Sequence, residues 1–169
     1  MIKSRIAREK AHSILRMYGI NEAPINIDDI CSQLGFKIAF VELSDKASAA
    51  IKIDGEKKAI IVNSKHSKNR QRFSMAHELG HYLGGHEDFD DEQRTHIDPS
   101  KKYLNPQYRQ EEEADEFAAE LLMPDFLLKV DVIENKLTLS ELATKYKVSE
   151  QAMTIQLVNL ELPFNHKNL

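Results

Sequence analysis

The chain has 169 residues, of which 41% are hydrophobic and 30% charged, and its formal net charge is −4. A chain of this length can bury a core in one domain, with or without a small appendage. The single cysteine, Cys31, excludes an intramolecular disulfide and suits a reducing compartment. The N-terminus lacks the apolar stretch of a secretory signal, and no run of about 18 apolar residues could span a membrane. We therefore expect a cytoplasmic protein.

The first half of the chain predicts helices that flank a small sheet. Glycines mark the ends of the helical patterns, and Asp54-Gly55 between two apolar runs indicates a hairpin. Alternating apolar residues around that turn, and a short apolar run before it, indicate strands. The predicted elements are helices over 2–17 and 27–34, strands over 36–41, 49–53 and 59–62, and a helix over 67–83.

The second half predicts a long loop followed by helices. Residues 86–110 are polar, carry two prolines and lack periodicity, which is typical of a functional or mobile loop. The predicted helices cover 111–123, 126–133, 138–146 and 149–160. This order predicts an α+β fold, in which a small antiparallel sheet packs on the helix over 67–83 and a helix-turn-helix-like segment closes the chain.

The helix over 67–83 carries a pattern that indicates metal chemistry. His77 and His81 are four residues apart and share one helix face, so both imidazoles can reach one cation. Glu78 is displaced around the helix, where it can hold a water molecule without binding the metal. Zinc would lower the pKa of that water towards ~7 and polarise a carbonyl, with Glu78 as the base. A chance match is disfavoured because the neighbouring residues are apolar, as in a core helix.

A catalytic zinc needs a third protein ligand and an open position. One known pattern places a third histidine six residues after His81, but residue 87 is a glutamate and His86 comes one residue early. That pattern is therefore not met. Glu87 remains a candidate only if the chain folds straight back over the metal after Gly84-Gly85.

Glu111 is the better candidate for the third ligand. It shares one helix face with two alanines, an acid and a leucine, namely Ala114, Ala118, Asp115 and Leu122. The alanines would let this helix approach the histidine helix, and Asp115 would accept the second N–H of a ligating histidine. The alternative for Glu111 is a solvated place at the helix start, where the helix dipole favours an acid. The remaining acids of the helix are expected on its solvated side: Glu112, Glu113, Glu116 and Glu120.

Two segments resemble the ImmA/IrrE family of metallopeptidases. Residues 73–83 read FSMAHELGHYL and residues 111–124 read EEEADEFAAELLMP. The resemblance implies a gluzincin-like fold with zinc held by His77, His81 and Glu111, and with Glu78 as the base. Asp115 stands where the family commonly has asparagine, and either side chain can accept from a histidine N–H. The metallopeptidase domain would comprise residues 1–130, with the helical segment 131–169 packed on it.

The resemblance also implies a biological role. Members of this family typically cleave a helix-turn-helix transcriptional repressor and so relieve repression in mobile elements, phage immunity or stress responses. The competing interpretation is a DNA-binding or protein-interaction regulator, as in toxin–antitoxin pairs, with a mainly structural metal site. Peptide hydrolysis also needs a group that stabilises the oxyanion. The sequence does not choose among four candidates for it: His86, His96, Tyr103 and Tyr108.

The final helix pair has the burial pattern of a helix-turn-helix unit, but its second helix lacks lysine and arginine. The polar side chains it offers for contacts with DNA bases or phosphates are Gln151, Thr154, Gln156 and Asn159. Because phosphate contacts supply most non-specific affinity, we expect DNA binding to be weak or absent and the pair to be structural or to dock a partner.

The formal charge is +6 over residues 1–75 and −9 over 76–130. The acidic run over 87–92 would favour a basic protein partner.

Overall fold

The structure is a computed structural model that describes residues 5–86 and 106–164. Its α+β architecture confirms the predicted fold class. The strands are β1 (Phe36–Val41), β2 (Ala49–Asp54) and β3 (Lys57–Asn63). The helices are α1 (Arg5–Met17), α2 (Ile27–Gln33), α3 (Lys68–Gly84), α4 (Pro106–Leu122), α5 (Asp125–Lys129), α6 (Leu139–Tyr146) and α7 (Glu150–Asn159). No helix in the described ranges is both long and apolar enough to cross a membrane.

The sheet has the strand order β1-β3-β2. The predicted hairpin is present: β2 and β3 are antiparallel, with Asp54 opposite Lys57 and Gly55 at a φ of +58° in the turn. The sheet as a whole is mixed rather than antiparallel throughout, because β1 pairs in parallel with β3. Residues 42–48 connect β1 to β2, which lie on opposite sides of the central strand β3.

The core lies where α3 packs against α4 on one side and against β2 and β3 on another. Helix α1 lies against α4, and α2 packs against β1 and α3. Fully buried apolar side chains from most of these elements meet there, among them Leu15, Ile30, Ile60, Leu79, Phe117 and Leu121. Burial of such side chains is the main term that stabilises the fold.

Local signals explain the ends of α3 and the early start of α4. The Ser67 side chain accepts a hydrogen bond from the Arg70 N–H, and Gly85 ends α3 in the left-handed region at a φ of +67°. Helix α4 is described from Pro106, five residues before its predicted start. Proline suits the first helical position because its fixed φ is helical and its missing N–H has no partner there. Residues 87–105 of the predicted loop lie outside the described residues.

The predicted helix over 126–133 is instead α5 followed by a π-helical turn, Val130–Glu134. Asp131 in this turn is buried and accepts hydrogen bonds from Lys145 Nζ at 2.7 Å, Tyr146 Oη at 2.8 Å and Asn135 Nδ2 at 2.8 Å. Burial alone would raise the pKa of Asp131, but these three donors lower it below its ordinary value. The Asp131 carboxylate therefore fixes the last turn of α6 to this π-helical turn.

Glu120 is buried, so the prediction that it lies on the solvated side of α4 is wrong. It is 1% exposed because it lies where α1, α4, α5 and α7 meet. His12 Nε2 is 2.6 Å from Glu120 Oε1, and the Asp125 N–H donates to the same oxygen at 3.0 Å. Gln156 Nε2 donates to Oε2 at 3.1 Å, and Arg8 Nε is 3.5 Å from it. A buried carboxylate is tolerable when it is paired and hydrogen-bonded in this way.

Replacement of Asp131 by alanine should destabilise the protein by about 1–3 kcal/mol at neutral pH, because the buried Tyr146 hydroxyl loses its acceptor. A carboxyl group with a lowered pKa contributes stability above its unfolded pKa of about 4. That contribution is lost as the pH falls through the lowered folded-state value. Urea unfolding at pH 7 and near pH 3 should therefore show a smaller acid-induced loss for Asp131→Ala than for the wild type. An equal loss in both proteins would contradict this role.

Candidate metal centre

The candidate centre is built on an unusually close approach of α3 and α4. A Cβ atom added to Gly80 would lie 2.9 Å from Ala114 Cα, a distance that real Cβ atoms essentially never show, and 3.0 Å from the Ala114 carbonyl oxygen. Gly80 and Ala114 are both buried. Only glycine at position 80, facing a small residue at 114, lets the two helix backbones come this near. The approach brings the first turns of α4 over the histidines of α3.

His77, His81 and Glu111 converge at this crossing. The Nε2 atoms of the two histidines are 2.9 Å apart. Glu111 Oε2 is 3.3 Å from His77 Nε2, and Glu111 Oε1 is 3.1 Å from His81 Nε2. The side chains are mostly buried, with exposed fractions of 13% for His77, 11% for His81 and 25% for Glu111. The structure thus brings together the three side chains that the sequence analysis proposed as ligands.

The spacing of these donor atoms fits a divalent metal ion. One ligand atom from each of the three residues can be chosen so that all lie within 4.8 Å of one another. Tetrahedral coordination with bond lengths of about 2.0–2.1 Å, as in protein zinc sites, separates neighbouring ligand atoms by about 3.3 Å. The observed separations are close to that value: 2.9 Å between the two imidazole nitrogens, 3.1 Å from His81 to one Glu111 oxygen and 3.3 Å from His77 to the other. Two imidazoles and a carboxylate could therefore hold a metal ion here.

Asp115 lies one turn after Glu111 on α4 and contacts the outer nitrogen of His77. Its Oδ1 is 2.8 Å from His77 Nδ1. Burial alone would lower the pKa of His77, but hydrogen bonds to Asp115 and Glu111 raise it to about 9. The acids around His77 therefore favour a positive charge at this point.

Glu78 lies between the two histidines in the sequence of α3, about 100° around the helix from His77. The residue is 7% exposed. Its negative charge adds to the influences that raise the pKa of His77, after those of Asp115 and Glu111. Glu78 is thus a buried acid near the candidate centre, at a position outside the cluster of potential ligand atoms.

The structure adds two residues, His86 and Glu113, to the surroundings of His81. His86 Nδ1 is 3.0 Å from His81 Nδ1, and His86 Nε2 is 3.2 Å from Glu113 Oε2. The sequence analysis listed His86 as an oxyanion candidate and expected Glu113 on the solvated side of α4. Gly85 was the available signal, since a left-handed residue there folds His86 back so that its N–H donates to the His81 carbonyl oxygen at 3.1 Å.

His86 is nearly enclosed by its neighbours. Its side chain is 6% exposed, whereas that of Glu113 is 44% exposed. Burial lowers the pKa of His86, with the His81 charge acting in the same direction and Glu113 opposing it. Of the other oxyanion candidates, Tyr108 lies half-buried on α4. Residues His96 and Tyr103, and the alternative ligand Glu87, lie outside the described residues.

Comparisons with known proteins agree with the fold and identify the family. The IrrE N-terminal-like domain, family Peptidase_M78, matches residues 31–157 and thus includes α3 and α4. The chain belongs to this family. The resemblance drawn from the two sequence segments is thereby confirmed. The Peptidase_M78 match also runs across residue 130, and the division of the chain there stays a prediction.

Solved structures show the same fold in other chains. One is a Mycobacterium tuberculosis transcriptional regulator, with a TM-score of 0.64 and 15% sequence identity. The alignment covers 89% of this Peptidase_M78 chain and 46% of the regulator, so this chain spans about half of that protein. At this identity the likeness shows the fold alone. A comparison with curated proteins finds no match.

A second group of histidine and acids, His12, Glu120 and Asp125, also has the spacing of a metal site. It lies outside the α3–α4 crossing, and basic side chains already occupy it. Arg8 is 3.5 Å from each carboxylate, and Lys129 Nζ is 2.7 Å from Asp125 Oδ2. These positive charges oppose a metal ion, so the group is an ion-pair network that joins the helices.

The close helix approach predicts that Gly80→Ala destabilises the protein. Alanine favours a helix over glycine by up to about 1 kcal/mol, but overpacking against the Ala114 backbone should cost about 1–3 kcal/mol. Gly84→Ala is the matched control in the same helix, because the three atoms nearest to a Cβ there belong to the His86 side chain and not to backbone. Urea unfolding should show a lower stability for Gly80→Ala than for Gly84→Ala. The reverse order would argue against the backbone contact.

Proposed function

We propose that the chain is a zinc-dependent endopeptidase that cleaves a helix-turn-helix transcriptional repressor. Zinc would be held by His77, His81 and Glu111, and Glu78 would be the catalytic base. The observation that carries the proposal is the convergence of two imidazole nitrogens and a carboxylate within 3.3 Å of one another. Membership of the Peptidase_M78 family supports peptide hydrolysis as the reaction.

Zinc at this site would supply Lewis acidity towards the substrate carbonyl and lower the pKa of water. Glu78 would take the proton of the attacking water and return it to the leaving amine. Asp115 would accept a hydrogen bond from the Nδ1–H of His77 and so keep the lone pair of Nε2 directed into the space between Glu111 and His81. The burial of Glu78 would keep bulk water from competing for its carboxylate.

Charge supports a basic protein as the substrate. Residues 76–130, which include α3 from Ala76 and all of α4, carry a formal charge of −9. Opposite charge steers a partner to such a region, and repressors that bind DNA are often basic. An endopeptidase needs an extended peptide in its cleft, so an exposed linker or a helix end that unfolds locally would be cut.

The surface of α7 supports weak or absent DNA binding. Gln156, one of the polar side chains considered for contacts with DNA, is buried and donates to Glu120 and to the Met123 carbonyl oxygen. Ile155 and Val158 are instead exposed, by 54% and 60%. A DNA-reading helix presents basic and amide groups to phosphates and bases, whereas this exposed face is partly apolar. Such a face is better suited to a protein partner.

The purified chain should bind about one zinc ion, and Glu111→Ala should lower its zinc affinity roughly tenfold or more, since a ligand is lost. Competition with a chromophoric chelator measures this affinity. Glu112→Ala is the matched control, one position further along α4. Glu113 is unsuitable as a control because it contacts His86. Normal zinc binding by Glu111→Ala would exclude Glu111 as the third ligand.

Glu78→Gln should retain zinc and lower cleavage by about 10²–10⁴-fold, because the amide cannot act as a base. The assay is co-expression with helix-turn-helix repressors from the same genome, followed by mass analysis of the fragments. The wild type should cut one of these repressors at one or two sites, and Glu112→Gln should do the same. Cleavage by Glu78→Gln at the wild-type rate would refute the assignment of the base, and intact repressors with the wild type would refute the substrate.

A further inference from the structure

The outer nitrogens of the two α3 histidines meet different partners. The outer nitrogen of His77 meets a carboxylate directly, at Asp115 Oδ1. The outer nitrogen of His81 meets His86, and the far nitrogen of that ring meets Glu113. Each histidine is therefore linked to an acid on α4, His77 by one contact and His81 by two.

The protons in the longer chain can be arranged in one consistent way. A histidine that binds a cation through Nε2 must carry its proton on Nδ1. The His81 Nδ1–H can then donate only to an unprotonated His86 Nδ1. That requires the tautomer of His86 with its proton on Nε2, and this N–H points at Glu113 Oε2, an acceptor. Glu113 thus selects the tautomer of His86 that can accept from His81.

We propose that Glu113 and His86 form a hydrogen-bonded chain that fixes the tautomer and ring orientation of His81 for metal binding. This inference rests on the proposed metal centre. Glu113 and His86 are positioning residues in it, since both act through His81. Partners of this kind typically change metal affinity by about 10–100-fold when they are removed.

The packing around His86 supports a fixed ring. A Cβ atom added to Gly84 would lie 2.6 Å from His86 Nε2 and 2.7 Å from its Cε1. The His86 ring therefore lies directly on the Gly84 backbone, in space that any larger residue would fill. The rings of His81 and His86 also meet edge to face, with centroids 5.2 Å apart. Glycine at 84 leaves room for the ring on one side, and His81 borders it on another.

The test is zinc affinity of the full chain, measured by competition with a chromophoric chelator. His86→Phe keeps a ring but removes both nitrogens, and it should weaken zinc binding about 10–100-fold. Glu113→Ala should weaken it about tenfold, and Glu113 is exposed enough for this variant to fold. Glu113→Gln also removes the charge but retains an acceptor oxygen, so it should bind zinc nearly as the wild type does. Glu112→Ala, which removes a neighbouring acid, should have no effect.

Two further readouts separate positioning from general stability. In a double-mutant cycle, Glu113→Ala should have no additional effect on zinc affinity in the His86→Phe background, because Glu113 acts through the His86 imidazole. Gly84→Ala should weaken zinc binding by displacing the His86 ring, while the metal-free chain remains folded. When cobalt(II) replaces zinc, the visible absorption of the cobalt-bound His86→Phe variant should differ from that of the wild type, because the cobalt spectrum depends on the ligand geometry.

The outcomes distinguish this inference from the proposed function. If Glu111→Ala loses zinc but His86→Phe and Glu113→Ala bind it like the wild type, the inference is wrong and the metal centre stands. Equal losses in Glu113→Gln and Glu113→Ala would show that only the charge matters, which also overturns it. If the wild type itself binds no zinc, the proposed function and this inference both fail.

Discussion

The contact between Gly80 and Ala114 is the constraint on which the candidate centre depends. It lets α4 lie close enough to α3 for one acid, Glu111, to reach both histidines. The same approach brings Asp115 to the outer nitrogen of His77 and Glu113 to the ring of His86. A wider helix spacing would move all three acids away together. The backbone packing and the geometry of the site are therefore a single property of the helix pair.

The acids of α4 consequently differ in their roles, although they are alike in sequence. Glu111 faces the histidines, Glu113 contacts His86, and Asp115 contacts His77. Two turns beyond Glu113, Glu120 is buried and fixed by Arg8, His12 and other partners. Because Glu120 is held by α1 and α7, these elements also restrict rotation of α4 about its axis. The contacts of Glu120, which lie away from the candidate centre, thus help to orient Glu111, Glu113 and Asp115 towards the histidines.

Local patterns in the sequence predicted the elements and much of the site. The strand over 36–41, the hairpin at Asp54-Gly55 and the helix pair 138–160 follow from turn residues and apolar spacing, which act over short distances. The histidine pair follows from helix geometry alone. The burial of Glu120 was missed because periodicity gives the face of a helix and not what lies opposite it, and here α1 and α7 lie opposite. The parallel pairing of β1 with β3 was missed for a similar reason, because it depends on the path of the connection between β1 and β2 and not on the local sequence of β1.

Charge, rather than the spacing of donor atoms, separates the two histidine and acid clusters. His12, Glu120 and Asp125 have suitable spacing, but Arg8 and Lys129 already balance the carboxylates. An arginine cannot lose its proton at any ordinary pH, so a metal ion there would have to displace it or be repelled by it. At the α3–α4 crossing the acids contact imidazole rings, which can give up a proton and offer a lone pair in its place. A cation can therefore replace protons at the crossing without leaving an unpaired charge, and this makes that cluster the better candidate for a metal site.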